Sequence, residues 1–525
     1  MTNDRLPSLV AAFLEGRDLD LLQPLRFDAA DDGNVRLGPH PAVDRKELAE
    51  ALGRANEDYG HPKARELAEK LARPDTRVVI TGQQPGLFGG PLYTLSKAVA
   101  AQLWAEHLER QGESAVALFW MATEDHDFKE SSEVAFFTPR GSLEISLGED
   151  PEPLVPVGLR RLGPELERVW SELSDAVPGD RFAEWLQRMK SWYHPEATFG
   201  DAFAGLMSHL LGERSPLWID ALLPELKQAQ IPLLRSLVER RSEVTTAYTS
   251  RDGKIEQRGY PLQIRPQPDA GPLFVLVDQQ RRRVMWRSEA RVGLRGLEPF
   301  DESVGWLLDL IETEPGRVSP GARARVALQD ALFGSDLLIL GPGELSYLPQ
   351  AAPLYDLLSL TPPTVVLRSQ AIVLEGHQLD KLASTRVGLE AFTSTDLDLD
   401  RALVDSESTR FLDLAGEDLE ALLERLRQPA LDIDANLDSP LDKTGDQMKR
   451  ALEAFSGKVT AAASRRDEVA RKRAESLRRV CMPLGENQER VIASAHFPGK
   501  HGDRFVSAMF EHLKLDPRYL RVIQP

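Results

Sequence analysis

Five short apolar runs constrain this chain most. They are RVVIT at 77–81, ALFWMA at 117–122, LWID at 217–220, LLILG at 337–341 and TVVL at 364–367. Each ends in a glycine, an acidic group or an arginine, and helical patterns fill the chain between them. An apolar run without polar alternation fits a strand covered on both faces, and strands alternating with helices imply a parallel sheet. The runs are unevenly spaced, so the α/β core carries insertions. The expected division is 1–140 for the first part of the core, 141–200 for an insertion, 201–245 for core, 246–320 for a β-containing insertion and 321–370 for the last part of the core. A coiled-coil region at 371–482 and a C-terminal segment at 483–525, packing on the core, complete it. Within the second insertion, residues 275–277 and 284–286 read as the arms of a hairpin around 278–283.

The region after Arg368 has a different texture. Residues 416–428, GEDLEALLERLRQ, form an amphipathic helix. Met448, Leu452, Phe455, Val459 and Ala462 follow 4-3-4-3 spacing; Val469 and Val480 continue the seam, Leu477 lies near it, and Arg466 and Arg473 interrupt it. This spacing predicts a coiled coil, with the stretch near 370–390 as its antiparallel partner.

Ligands of open parallel sheets bind beyond the carboxyl ends of the strands, so the turns after the apolar runs are the candidate site. The first is TGQQPGLFGGP, residues 81–91. Gly82, Gly86, Gly89 and Gly90 permit sharp turns and close backbone approach, and Pro91 suits a helix start. The amides of such a turn favour an anion. Thr81, Gln83, Gln84, Tyr93 and Lys97 are the accompanying binding candidates. Tight packing is the competing use of the glycines. The turn matches neither a P-loop nor a dinucleotide fingerprint.

The second turn follows FWMA with Thr123, Glu124, Asp125, His126 and Asp127. Three carboxylates and an imidazole there can orient an amine, hold Mg²⁺ or move protons; a solvated helix-capping loop is the plainer reading. Glu124 is the candidate base, with Asp125, His126 and Asp127 as its catalytic companions. The third turn, GPGELSYLPQ, contributes Gly341, Gly343, Glu344 and Tyr347, and Arg368 follows the last strand. Arg323, Arg325 and Gln329 are weaker candidates; arginines in such places clamp carboxylate or phosphate, or form surface ion pairs. No resident metal-ligand set is assigned.

Composition removes several classes. The formal net charge is −18, which disfavours a broad nucleic-acid surface. A single cysteine, Cys481, cannot build a disulfide framework or a multi-cysteine zinc site. No signal peptide and no membrane span is expected, which makes the cytoplasm the default.

TGQQPGLFGGPLYTLSK, FWMATEDHDFKE, SPGARARVALQD, GPGELSYLPQ and the tail phrase ENQERVIASAHF, in this order, resemble the cysteine ligase family of bacillithiol biosynthesis. The resemblance spans about residues 60–510 and is weakest over 141–200 and 385–440. It implies a Rossmann-like parallel-sheet core with connecting-peptide insertions, loosely similar to class I aminoacyl-tRNA synthetases, a long antiparallel coiled coil and a homodimer. It further implies ATP-linked joining of cysteine to glucosaminyl-malate, with ATP and Mg²⁺ as cofactors. The synthetase HIGH and KMSKS signatures are missing, as is a cysteine-based zinc site for selecting a thiol. Two other classes remain compatible with the residues: a glycosyl- or nucleotidyl-transferase, distinguished by its products, and a non-catalytic nucleotide-binding scaffold, distinguished by binding without turnover.

Overall fold

The protein is described by a computed structural model over residues 6–30, 33–385, 387–403, 406–464 and 468–525. It forms two compact units, Met1–Val373 with Gln488–Pro525, and Leu374–Asn487.

In the first unit the five apolar runs are strands of one parallel sheet, joined by a short strand the sequence did not reveal. That strand is β1, Arg26–Asp28, an edge strand with a single apolar residue. It is followed by β2, Arg77–Gln83, and β3, Ala115–Met121. An antiparallel hairpin, β4 (Glu133–Thr138) and β5 (Gly141–Ser146), comes next, so a boundary at 140 falls at its turn. β6 is Leu217–Asp220. β7 (Ala270–Val277), β8 (Gln280–Trp286), β9 (Arg291–Leu294), β10 (Leu297–Ser303) and β11 (Val318–Pro320) form a separate antiparallel sheet. β12 is Leu337–Leu340 and β13 Thr364–Leu367. β14 (Ala371–Val373) pairs in parallel with β15 (Arg521–Ile523).

The main sheet runs β1-β13-β12-β2-β3-β6. Both faces are covered. Val78, Ile80, Leu118 and Trp120 enter one core and Val79, Ala117, Phe119 and Met121 the other, which is why the strands read as unbroken apolar runs. From β2 the chain proceeds outward through β3 to β6, then crosses back to lay β12 and β13 on the other side of β2. The order therefore reverses between β2 and β12, where an open α/β sheet forms its ligand crevice.

A third core lies beneath the first glycine turn. It gathers Leu87, Phe88, Phe136, Trp170, Tyr193 and Ala495, with the Phe88 ring centroid 5.0 Å from Trp170 and 5.1 Å from Tyr193. In the second sheet the β7–β8 turn occupies two residues, Asp278 and Gln279, at φ 48° and 63°. Two left-handed residues match the twist of the flanking strands. The expected six-residue loop is thus too long, and β8 begins early enough to include Arg281 as a strand residue.

The second unit is helical. Its two long helices, Ser406–Ile433 and Asp438–Ser464, pack together. Arg427 meets Asp438 and, at 2.7 Å, Asp442, while Lys449 reaches Glu420 at 3.2 Å. Those pairings run antiparallel. The partner of the 438–464 helix is therefore the helix before it, not the 370–390 stretch; Gly376–Ala383 instead packs on Glu468–Cys481, where Lys381 donates to Ser476 at 3.2 Å. The seam also differs. Gly445, Leu452 and Val459 are the shielded positions, at heptad spacing, whereas Met448 and Phe455 stay exposed. Gly445 is favoured because a Cβ there would lie 3.0 Å from Leu423. Leu477 and Cys481 are buried and Val469 is exposed; Arg466 lies outside the described residues. No helix among the described residues is long and apolar enough to cross a membrane.

One glycine fixes the spacing of the two central strands. A Cβ on Gly82 would sit 2.7 Å from the Trp120 carbonyl oxygen. Gly82→Ala is expected to destabilise the protein by about 1–3 kcal/mol, the usual cost of overpacking, measured by denaturant unfolding against wild type.

Candidate functional site at the sheet reversal

Lys97 organises the crevice. It sits in helix Leu92–Arg110, which is buried on nearly every side, and its own residue is 2% exposed. Its ammonium donates to the Gly82 carbonyl at 2.8 Å and Gln83 Oε1 at 2.7 Å, and pairs with Glu344 Oε2 at 2.5 Å. Burial pushes its pKa below the usual lysine value, against the pull of Glu344. Removing a cation from water is tolerated only when acceptors replace its hydration. The ends of β2 and β12 supply them: Glu344 opens helix Pro342–Ala351 and also accepts the Gly341 amide at 2.9 Å.

Arg368, immediately after β13, is the second buried cation. Both terminal nitrogens donate to Glu489 at 2.9 Å, a planar two-point pairing. Burial opposes its charge, but Glu489 outweighs that and its pKa lies above the usual value. Its Nε is buried without an acceptor among the described residues. Gly341 marks where the groups converge: a Cβ built there would lie 3.4 Å from Glu344 Oε2, 3.7 Å from Lys97 Cε and 3.8 Å from Arg368 Nε. Tyr93 stands beside both cations, its ring 5.8 Å from Lys97 Nζ and 5.9 Å from Arg368 Cζ. Tyr347 and Arg325 lie alongside and interact with each other.

The TEDHD loop joins this cluster through the two glutamines. Gln83 donates to Glu130 at 2.6 Å and to Tyr93 at 3.1 Å, and Gln84 donates to the Asp127 carbonyl at 2.7 Å. Asp127 caps helix Phe128–Ser132 by accepting the Glu130 amide. Asp125 is half-exposed and lies 3.6 Å from His126 and 3.5 Å from Arg281. Arg281 lies 3.3 Å from His126 Nδ1. A guanidinium can only donate, so Nδ1 accepts and the ring proton resides on Nε2. Burial, then Arg281, lowers the His126 pKa, which keeps that neutral tautomer at neutral pH. Arg281 is itself buried, donates to Ser319 and to the Pro320 carbonyl, and is pushed down to about 10 by burial.

Two expectations change. Glu124 is buried against Lys227, whose ammonium also reaches the Val318 carbonyl at 3.2 Å; burial and Arg281 push Lys227 down to about 7. A carboxylate held this way is a buried counter-ion rather than a base open to substrate. At the end of the glycine turn three amides that an anion would use already have partners within the protein. Gly89 N donates to the Tyr193 hydroxyl, Gly90 N to the Leu87 carbonyl and Leu92 N to the Ile492 carbonyl. The Thr94 amide in the first turn of the helix likewise bonds the Pro91 carbonyl. Gly86 and Gly90 serve packing: a Cβ on Gly86 would meet Gly90 Cα at 2.8 Å, and Gly90 has φ 66°. Thr81 donates to the Ile339 carbonyl across the strands, and Gly343 is exposed, with nothing within 4 Å of where a Cβ would lie.

Glu130, Arg281, Lys227, Tyr193 and Glu489 were missing from the sequence-derived site. Glu489 stood within ENQERVIASAHF and Arg281 within RRRV, but neither neighbourhood names its distant partner.

Comparison with known proteins identifies the family. A family model described as the N-terminal Rossmann-like domain of bacillithiol biosynthesis BshC matches residues 31–369. The chain belongs to the BshC family. The family's C-terminal coiled-coil domain matches residues 371–519. A Salinibacter ruber protein named "Putative cysteine ligase BshC" is 29% identical over 92% of this chain and 89% of its own length. One of the same name from Chlorobaculum tepidum is 28% identical over 90% and 87%. Another, from Heliobacterium modesticaldum, is 31% identical over 61% and 59%.

The Arg368–Glu489 pair separates stability from chemistry. Glu489→Ala is expected to cost about 3–5 kcal/mol in denaturant unfolding, because it strands a buried charge. The paired change Arg368→Met with Glu489→Leu should recover most of that stability.

Proposed function

We propose that this chain is a ligase that joins the carboxyl group of cysteine to the amine of glucosaminyl-malate, with ATP and Mg²⁺, and so forms bacillithiol. The observation that carries this reading is the convergence of Lys97, Glu344 and Arg368 on Gly341, with the Asp125–His126 loop beside it. A crevice in which Arg368 Nε is left without an acceptor thus adjoins groups able to manage an amine. The names of the family relatives support the cysteine-ligase part; glucosaminyl-malate and ATP come from the resemblance of the motifs.

ATP would supply the energy for carboxyl activation. Arg368 Nε and Arg325 suit its phosphates, and Asp127 suits its Mg²⁺. The chain's own residues divide the remaining work. Arg368 orients a carboxylate or phosphate against the strand ends. Asp125, the half-exposed carboxylate, takes the proton the amine sheds as it attacks. His126 donates from Nε2 to the oxygen that gains charge in the tetrahedral species. Glu124 and Lys227 hold the loop from behind. A cytoplasmic location accords with a biosynthetic role.

Purified protein given glucosaminyl-malate, cysteine and ATP-Mg is expected to yield bacillithiol and a nucleotide product. Folded protein that makes neither would overturn the ligase reading. Asp125→Asn should lower kcat by about 10²–10⁴-fold, the usual range for a lost general base, and His126→Ala by about 10²–10³-fold, as for a lost oxyanion donor. Activity should hold through neutral pH and fall below the usual histidine value of 6.5. There His126 gains a second proton and its bond from Arg281 is lost. An unchanged acid limb in His126→Gln would remove His126 from that role.

The proposed homodimer uses the coiled coil, whose two long helices leave Phe411, Leu414, Leu426 and Phe455 exposed. Sedimentation should give a dimer for wild type and a shift to monomer for the double change Phe411→Asp and Phe455→Asp.

A further inference from the structure

A second polar site lies away from the strand-end crevice, on the other side of helix Ala322–Phe333. Arg325 of that helix turns to Tyr347 and the Lys97 cluster. Arg323, two residues earlier and so nearly opposite on the helix, turns to a cavity of about 110 Å³. Its walls include Tyr248, Asp252, Gln267, Arg283 and Arg323, with Gly321 and Ala322 at the helix start.

Three independent features of this cavity call for an anion. The first is the helix terminus. Gly321 caps it without a side chain. Its own amide goes to the Pro272 carbonyl and the amide of Ala324 turns back to Gly321. The amides of Ala322 and Arg323 have no acceptor among the described residues, and free amides at a helix start favour negative charge. The second is Tyr248, which is 9% exposed and keeps its hydroxyl buried without a hydrogen-bond partner. A buried hydroxyl left unmatched is costly, so its retention signals a partner. The third is unbalanced charge. Arg323 is matched by Asp252 at 2.8 and 3.0 Å and lies over the Tyr248 ring at 3.9 Å; Asp252 is further held by Gln350 at 3.1 Å. Arg283 has no such match. Its guanidinium rests on the Phe274 ring at 4.8 Å, and no carboxylate among the described residues pairs with it.

We propose that this cavity is a binding site for a phosphate-sized oxyanion, held by the amides of Ala322 and Arg323, the Tyr248 hydroxyl and the Arg283 guanidinium. Burial and the neighbouring guanidiniums of Arg281, Arg295 and Arg323 lower the Arg283 pKa, a strain that an anion would relieve. The bound group is either free phosphate or the phosphate of a nucleotide. It would brace the junction of β7 with the helix whose next turn carries Arg325 into the crevice. The site is independent of the ligase reading, since it uses none of the residues assigned to that chemistry.

The test is calorimetric titration of the full chain with inorganic phosphate, and separately with adenosine monophosphate and adenosine. One-to-one binding of phosphate is expected, weakened at least tenfold by Arg283→Met, which keeps the stem on Phe274, and several-fold by Tyr248→Phe. Binding of the monophosphate at least tenfold tighter than phosphate, with competition between them, assigns the group to a nucleotide; equal binding assigns it to the free ion. Tyr248→Phe deletes one hydroxyl and keeps the question answerable if Arg283→Met does not fold. The paired change Arg368→Met with Glu489→Leu should leave this binding at the wild-type level. The inference is overturned if neither phosphate nor the monophosphate binds folded wild type at millimolar concentration. It is equally overturned if both cavity variants bind as wild type does, or if the folded Arg368→Met and Glu489→Leu double variant does not bind.

Discussion

The ammonium of Lys97 holds the centre of this molecule together. It is a charge taken out of water, and each of its three acceptors comes from a strand end or the helix start beyond one: the Gly82 carbonyl, the Gln83 side chain and Glu344. Such a cation is tolerable only if β2 and β12 end in register beside it. The reversal of strand order and the buried lysine therefore depend on one another. A Cβ at Gly341 would touch the groups this arrangement draws in, at 3.4–3.8 Å. Arg368 and Glu489 repeat the device one strand further out, tying the end of β13 to the C-terminal segment.

The same logic explains why the glycine turn is closed. Its amides are donors that must be satisfied once buried. Tyr193 from the inserted region takes the Gly89 amide and Ile492 from the C-terminal segment the Leu92 amide. At these positions the backbone of the turn is tied to other segments of the fold. In the TEDHD loop Glu124 is spent as the counter-ion of Lys227, and Asp125 and His126 remain turned toward the crevice edge with Arg281 fixing the imidazole tautomer.

Much of this was legible beforehand. Continuous apolar runs announced a sheet covered on both faces, and their terminal residues announced where a crevice would lie, because strand direction puts the ends of parallel strands on one side. The hairpin in the second insertion was visible for a similar local reason. Its turn was overestimated, since a two-residue left-handed turn carries no glycine here to advertise it. The coiled coil was visible as a heptad but not its partner. Spacing reports which face of a helix is apolar, and the packed face shifted to Gly445, Leu452 and Val459 once the neighbouring helix supplied Leu423 to fill the gap.

Sequence by itself determined the periodicities, the strand ends and the kinds of side chain gathered there, since these follow from local backbone preference and from which residues sit next to which. Tertiary structure alone decided which of those side chains keep a free hand. Glu124 and Asp125 are neighbours of identical charge, yet one is buried against Lys227 and the other stays half-exposed beside Arg281. Glu489 and Arg281 enter the site from distant segments, as does Tyr193. Their roles arise from pairing across the fold, where burial makes an unmatched charge or amide too costly to leave alone, and no local pattern encodes the identity of the match.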